Sequence, residues 1–280
     1  MAANAVKGRA DAARRFMGSV RELSSYSDLL RNLVVRDLKV RYRGSVLGFG
    51  WSLLNPLLMM AVFTLVFQVL AKTDPIERYP FFLLAALVPW LFTQQALTSA
   101  MRSITSNAQL IKKVYFPREL LPLSAILASF VNFLLAYGVF WLVAIPFGVG
   151  VTGAMLFLPA IMLLHLVFVL GLGLLLAAIN VYFRDTEHIV EVGLLAWFFL
   201  TPIFYAMSIV PNNTVLGLDV HRWVFVLNPM ATLVTDYRYA FMWGFLPIRH
   251  TWITVVGAVV LLGLGWSIFR RLSNRFAEEL

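Results

Sequence analysis

The chain has 280 residues, of which 60% are apolar or aromatic and only 13% are charged, and its mean hydropathy is +0.81. A soluble domain of this length carries about twice that charged fraction, so the composition excludes an ordinary soluble protein. The net charge of +9 does not indicate nucleic-acid binding, because the basic residues flank apolar runs instead of forming a solvated patch. Attraction to anionic membrane lipid explains them better.

The N-terminal residues 1–25 predict a polar tail. They contain no apolar stretch, so we expect no cleavable signal peptide and expect the first span to direct insertion. The chain has no cysteine, which excludes disulfides, thiol chemistry and cysteine-based metal sites.

Residues 26–50 predict an amphipathic helix in the inner membrane interface, followed by a turn into the first span. Apolar side chains recur about every four residues and share one face, while charged side chains lie largely elsewhere around the helix. Three glycines at 44, 48 and 50 allow the turn. A simple juxtamembrane anchor would show the same pattern. The apolar set is Leu30, Leu33, Val34, Leu38 and Tyr42, and the charged set is Asp28, Arg31, Lys39 and Arg43.

Long stretches with few or no charges predict six transmembrane helices within a domain at 51–272, since a span needs about 20 apolar residues. Residues 120–183 lack any formal charge and extend roughly 95 Å as a helix, enough for two crossings joined by a turn at 146–153. Barrel strands would be about half as long, so the predicted fold class is an all-α polytopic membrane protein. The predicted spans are about 51–71, 80–101, 120–146, 154–181, 189–206 and 251–270, and residues 273–280 form a tail.

The distribution of Lys and Arg predicts cytoplasmic N- and C-termini. With that orientation, eighteen of the 23 basic residues lie on the cytoplasmic side and five lie outside. This bias follows the positive-inside rule.

The region 201–250, between the fifth and sixth spans, predicts re-entrant helices. Its apolar pieces are interrupted by prolines, and neither piece is long enough to cross the membrane alone. Two additional crossings would place Asp236 and Arg238 within the membrane. Helices that enter from the outer face and return to it are more economical if protein shields their backbone. The three prolines are Pro202, Pro211 and Pro229.

Catalytic and nucleotide-binding motifs are absent from the sequence. It lacks a P-loop pattern and the common hydrolase and zinc-protease patterns, and its four histidines show no metal-ligand spacing. We predict that His165 is a packed, hydrogen-bonded residue and not a proton relay. The spans also lack the midplane Asp, Glu or Lys that couples ions in secondary transporters. The sequence therefore predicts a non-catalytic conduit that is powered from elsewhere.

The segment 102–123 predicts a docking element on the cytoplasmic side. "NAQLIKKVYF" can form a short helix with apolar and basic side chains side by side, which Pro117 would end. A helix held between two spans suits the cleft of a soluble partner. In the alternative interpretation, Lys112, Lys113 and Arg118 are only positive-inside residues.

"LLRNLVVRDLKVRYRGSVLGFGWSLLNPLLMMAVFTLVF" resembles the start of the membrane subunits of bacterial polysaccharide ABC exporters, which move O-antigen, capsule or wall teichoic acid. "LIKKVYFPRELLPLS", "NVYFRDTEHIVEVGLLAWFFLTPIFY" and "LNPMATLVTDYRYAFMWG" resemble three further blocks of that family, in the expected order. The resemblance covers roughly residues 26–272.

This resemblance implies a homodimeric subunit of the bacterial cytoplasmic membrane that pairs with two copies of a separate ATPase. The substrate would be a lipid-linked polysaccharide, ATP and Mg would bind the partner, and this chain would need no cofactor. The re-entrant helices would lie near the outer exit. The implied ATPase-docking residues are Asn107, Gln109, Leu110, Ile111, Lys112, Lys113, Tyr115, Phe116 and Arg118, with Arg36 and Lys39 from the amphipathic helix.

Aromatic residues in and beside the spans suggest a path for the substrate. Sugar rings have apolar faces that stack on aromatic side chains, although aromatics also fill helix interfaces and headgroup belts. The candidate channel residues are Trp51, Phe63, Phe67, Trp90, Phe92, Trp197, Phe199, Phe204 and Tyr205. Alternative functions are an ABC permease for a smaller amphiphile or drug, an ion-coupled transporter, and a membrane-embedded glycosyltransferase.

Overall fold

The computed structural model describes residues 25–45, 47–48, 50–70, 76–147, 152–209, 214–215, 218–244 and 248–280. Over these ranges the chain is helical except for loops and a two-residue antiparallel pairing of β1 (Thr214–Val215) with β2 (Leu218–Asp219). The predicted all-α class is confirmed. The polar tail up to residue 24, residues 148–151 of the predicted turn and Pro211 lie outside the described residues.

The described residues form eleven α-helices. Two of them, α2 and α9, continue as π-helices over Leu65–Leu70 and Tyr239–Trp243. The helices are α1 (Ser27–Tyr42), α2 (Gly50–Thr64), α3 (Tyr79–Ser103), α4 (Ala108–Lys113), α5 (Leu120–Ala144), α6 (Leu158–Tyr182), α7 (Thr186–Leu200), α8 (Val220–Leu227), α9 (Pro229–Arg238), α10 (Ile248–Ser273) and α11 (Phe276–Glu279). Short 3-10 turns cover Thr105–Asn107, Ile145–Phe147, Gly153–Phe157 and Met207–Ile209.

Five helical stretches in the described chain are long and apolar enough to cross a membrane: Gly50–Leu70, Tyr79–Ser103, Leu120–Phe147, Gly153–Tyr182 and His250–Ser273. The helix in the fifth predicted span, α7, is shorter than expected at 15 residues. Its length of about 22 Å is less than the hydrocarbon thickness of about 30 Å. The helix ends because Thr201 adopts an extended conformation, which the following Pro202 favours.

The turn from α1 into α2 uses the glycines that the sequence indicated. Gly44 and Gly48 have φ angles of 77° and 47°, in the left-handed region that glycine tolerates. On α1, Leu33 is buried while Val35 and Val40 remain exposed. The helix packs on α5, so it lies against the end of the bundle formed by the long helices.

The core of the bundle surrounds α3, which packs against α5, α6, α9 and α2. The tightest crossing joins α6 to α10, where Gly171 and Gly265 face each other. A Cβ atom on either glycine would collide with backbone atoms of the opposite helix. Small residues at such crossings let membrane helices approach closely.

His165 lies fully buried at the centre of this core. Its Nε2 atom is 2.6 Å from the Thr93 hydroxyl oxygen, and its Nδ1 atom is 3.3 Å from that of Tyr237. The prediction that this histidine is a packed, hydrogen-bonded residue is confirmed.

Candidate ATPase-docking surface and substrate path

The predicted docking segment links α3 to α5. After Ser103 the chain makes a 3-10 turn, forms α4, and becomes extended at Val114. The short helix therefore ends at Lys113, earlier than the sequence suggested, and Pro117 lies in the non-helical stretch that leads to α5.

The inner side of this segment is anchored in the chain itself. Ile111 and Phe116 are buried in an apolar cluster with Leu33 of α1, Leu120 of α5 and Phe276 of α11. Burial of one large apolar side chain contributes about 1.5–3 kcal/mol to the stability of the fold. These two predicted docking residues thus fix the position of the segment.

The outer side of the segment is solvent-exposed in the single chain. Tyr115 is 99% exposed, and Lys112, Lys113 and Gln109 are also exposed. The remaining predicted members, Asn107, Leu110 and Arg118, are half-buried. An exposed tyrosine beside two lysines combines an apolar ring with positive charge, a composition that suits a partly acidic cleft.

Polar contacts join this segment to α1. Arg36 donates from Nη1 to Asn107 Oδ1 at 3.1 Å and pairs with Asp37 at 2.9 Å. Asp37 in turn accepts a 3.0 Å hydrogen bond from Ser124 of α5. The side chain of Lys39 is exposed on the same helix. The two elements that the family resemblance assigns to the ATPase contact are therefore parts of one structural unit.

Ion pairs that were not predicted from the sequence brace the same end of the bundle. Arg102 at the end of α3 contacts Glu187 and Glu191 of α7 at 3.0 Å each, and Arg270 of α10 contacts Glu119 at 3.1 Å. The sequence did contain a signal: the net negative loop before the fifth span lies at the same predicted membrane face as basic helix ends.

The predicted channel residues divide into exposed and buried groups. Phe204, in the loop after α7, stacks on Phe67 in the π-helical continuation of α2 with a centroid distance of 5.0 Å, and on Phe63 of α2 at 5.9 Å. Phe199 and Tyr205 extend this cluster between α2 and the end of α7. The cluster forms a partly open aromatic surface beside α2, which belongs to the least buried of the five candidate spans in the described chain.

Other predicted channel residues lie inside the single chain. Trp90 and Phe92 are buried, and Trp90 packs edge-on against Trp197 at 5.6 Å. The indole of Trp197 donates to Asn228 Oδ1 at 2.8 Å. Trp51 is half exposed near the start of α2. The structure therefore does not bring all nine aromatics to one surface.

The region between α7 and α10 contains two short helices, α8 of eight residues and α9 of ten. Neither can cross a membrane, and α9 packs against α3 and α10. Asp236 and Arg238 are buried but have protein partners. The Asp236 carboxylate accepts hydrogen bonds from Thr251 at 3.0 and 3.2 Å.

Arg238 fastens this region to the rest of the bundle. It donates to the carbonyl oxygens of Pro202 at 2.6 Å and Phe82 at 3.1 Å, and also to that of Ile203. Its guanidinium lies 3.5 Å above the ring of Phe82. Hydrogen bonds to backbone carbonyls compensate the burial of this charged side chain, and the amino-acid composition did not indicate these partners.

No group of three or more His, Asp or Glu residues within the described ranges could hold a metal ion.

The family profile described as ABC-2 type transporter matches residues 28–242. The chain belongs to the ABC-2 type transporter family. It is a transporter membrane subunit with several apolar helices.

Curated relatives within this family carry transport names. The chain is 37% identical over 262 residues to the O-antigen export system permease protein RfbA of Myxococcus xanthus, covering 93% of this chain and 98% of the relative. It is 34% identical over 256 residues to a protein of the same name from Klebsiella pneumoniae, covering 90% and 95%. The polysialic acid transport protein KpsM of Escherichia coli is 22% identical over 222 residues, covering 76% and 81%.

Proposed function

We propose that this chain is the transmembrane subunit of an ABC exporter that moves a lipid-linked polysaccharide outward across the bacterial cytoplasmic membrane. The observation that carries this proposal is similarity to O-antigen permeases over more than nine-tenths of the chain. The named relatives handle O-antigen and polysialic acid, which are both polysaccharides.

A separate ATPase supplies the energy in this proposal, and ATP and Mg bind that partner. The sequence contains no P-loop, while the exposed side chains of Lys112, Lys113 and Tyr115 offer a surface for a soluble subunit. The neighbouring α1 presents Arg36 and Lys39 to the same partner.

Two copies of the chain and two ATPase subunits complete the proposed transporter. The single chain leaves α2 and α7 with exposed apolar side chains, among them Leu58 and Val62 on α2 and Val192 and Leu195 on α7. A second copy could cover part of these surfaces, with lipid on the remainder. The aromatic cluster around Phe204 lies between the same two helices and would border the substrate path.

Six crossings with both termini inside complete the topology. In this arrangement α7 and the loop after it make the fifth crossing, and α8 and α9 are re-entrant from the outer face. The burial of α9 and its carbonyl contacts through Arg238 supply the shielding that such helices need.

Deletion of the gene in its native cell tests the substrate. The proposal predicts loss of surface polysaccharide and accumulation of lipid-linked polymer inside, both reversed by the wild-type gene. Normal surface polysaccharide together with sensitivity to a small amphiphile or drug would favour the alternative permease.

Cysteine labelling tests the topology, because the chain has no native cysteine. Single cysteines at the exposed positions Trp243 and His188 serve as reporters. An impermeant thiol reagent added outside should label the Trp243→Cys variant, whereas the His188→Cys variant should react only after the membrane is opened. The reverse pattern would contradict the proposed orientation.

A further inference from the structure

A polar cavity of about 590 Å³ lies where α1, α2, α3 and α5 meet. It extends from Arg41, on α1, past Ser129 to Ala136, about two-thirds of the way along α5. Its mouth carries the exposed side chains of Trp51, Asn55, Gln94 and Gln95. The carboxamide side chains of Asn55, Gln94 and Gln95 lie in predicted membrane spans. Burying such groups there costs free energy unless they face a cavity or another polar group.

Arg41 supplies positive charge to this cavity. Its Nη2 atom donates to Ser129 Oγ at 3.2 Å and to Ser99 Oγ at 3.4 Å. Its Nη1 atom is buried and has no hydrogen-bond partner among the described residues. Burial lowers the pKa of the Arg41 guanidinium from its ordinary value. Arginine is the basic side chain that keeps its charge in proteins.

Asn132 of α5 is the second unusual group. The residue is only 5% exposed, it lines the same cavity, and neither its amide nitrogen nor its carbonyl oxygen has a partner among the described residues. A buried polar group without a hydrogen bond costs about 1–3 kcal/mol. Such an amide is expected to bind something that enters the cavity.

The charge balance of the cavity favours an anion. Within the part of the chain that the structure describes, Arg41 is the one ionised side chain on its wall. The nearby carboxylate of Asp37 is already occupied by Arg36 and Ser124. A guanidinium with free donors matches the oxygens of a phosphate group.

We propose that this cavity binds the phosphate group of a lipid-linked substrate, with Arg41 and Asn132 as its principal hydrogen-bond donors. The hydrocarbon chain would lie outside, along α2, which forms one wall of the cavity and exposes Leu57 and Leu58. The carboxamides at the mouth would contact the first sugars. This inference rests on the proposed function, since it assigns a site to the anchor of the exported molecule.

Binding of ³²P-labelled dodecyl phosphate to the purified chain in nonionic micelles tests the proposal, read by scintillation proximity. Arg41→Gln and Asn132→Leu should each weaken binding by about tenfold or more, the effect of losing a charge-assisted or buried hydrogen bond. Asn132→Leu keeps the side-chain size and removes no protein hydrogen bond, so this variant should fold. Arg31→Gln, an exposed charge on the same helix, should change binding less than about twofold.

Two competitors identify the source of the phosphate. Unlabelled dodecyl phosphate should displace the label, while inorganic phosphate and dodecanol at equal concentration should not. Displacement by inorganic phosphate would indicate a free-anion site, and displacement by dodecanol would indicate a purely apolar groove; either overturns the proposal. Unchanged binding in both Arg41→Gln and Asn132→Leu would overturn it too. This assay needs neither ATPase nor transport, so its failure leaves the proposed export function standing.

Discussion

Helices α2 and α3 have similarly apolar sequences but lie in opposite environments in the structure. Both are charge-free through most of their length and apolar enough to cross a membrane. Yet 72% of the most apolar stretch of α3 is buried by the chain itself, against 6% for α2. Hydropathy therefore identifies what enters the membrane, but not whether a helix faces protein, lipid or a second subunit.

The difference has a functional meaning. Helix α3 contains Thr93, which hydrogen-bonds His165, and Phe82, whose carbonyl oxygen accepts from Arg238. It also leads directly into the docking segment, so it forms the fixed centre of the subunit. Helix α2 contributes to the open aromatic cluster and to the wall of the polar cavity. We expect substitutions in the buried group to act on folding, and those in the exposed group to act on assembly or transport.

The tightest buried contact should give the largest effect. Gly265→Leu places a side chain into the backbone of α6 at Gly171, and neither helix can yield without losing the crossing. We expect loss of folded, monodisperse protein in size-exclusion chromatography. Gly263→Leu is the matched control, because a Cβ atom there meets no neighbour. Similar yields for both variants would contradict the close α6–α10 packing.

A direct comparison of the two helices uses leucine truncation. Leu87 of α3 is fully buried, whereas Leu58 of α2 is 52% exposed. Leu87→Ala should lower the free energy of unfolding by about 2–5 kcal/mol, and Leu58→Ala by much less. Thermal unfolding in one detergent gives both values. Equal losses would show that α2 is as well packed as α3.

The docking segment should behave like an exposed surface. Replacing Lys112 and Lys113 with Glu and Tyr115 with Ala should leave unfolding unchanged but weaken ATPase binding by about tenfold or more, since one large apolar contact contributes about 1.5–3 kcal/mol. Pull-down of the partner measures this. The control is the double variant Arg271→Glu and Arg275→Glu, which makes a similar charge change elsewhere on the predicted cytoplasmic side. Full ATPase binding by the triple variant would exclude this segment as the docking site.

The smallest effect is expected at the ion pairs between α3 and α7. Arg102→Gln removes contacts to Glu187 and Glu191, but all three side chains are at least 30% exposed. Solvent screening limits such pairs to about 0.2–1 kcal/mol. Added salt should reduce the difference between variant and wild type in thermal unfolding. A loss comparable to that of Leu87→Ala would mean that this end is less solvated than the structure indicates.

Sequence patterns predicted the features that depend on local chemistry. Charge-free runs predicted the long helices, and the glycines at 44 and 48 predicted the turn into α2. The end of α7 at Leu200 was missed because apolar residues continue beyond it, while Pro202 changes the backbone before the apolar run ends. Sequence composition could signal this end only through the proline.

The candidate sites could be predicted only in part, because they depend on tertiary contacts. The docking segment was identified from its position, but only the structure separates buried Ile111 and Phe116 from exposed Tyr115. Arg238 appeared as a costly charge until its carbonyl partners, distant in sequence, were known. The cavity around Arg41 joins four helices, so no single stretch of sequence encodes it.

The central claim is that this chain forms a polysaccharide path driven by a separate ATPase, and transport in reconstituted vesicles tests it most directly. The purified chain and its ATPase are placed in vesicles with lipid-linked polysaccharide on the outer leaflet, and ATP is added outside. The account predicts that the polymer becomes protected in the lumen only when both proteins, ATP and Mg are present. Protection without the ATPase, or none with the complete set while a small amphiphile is transported, would contradict the account.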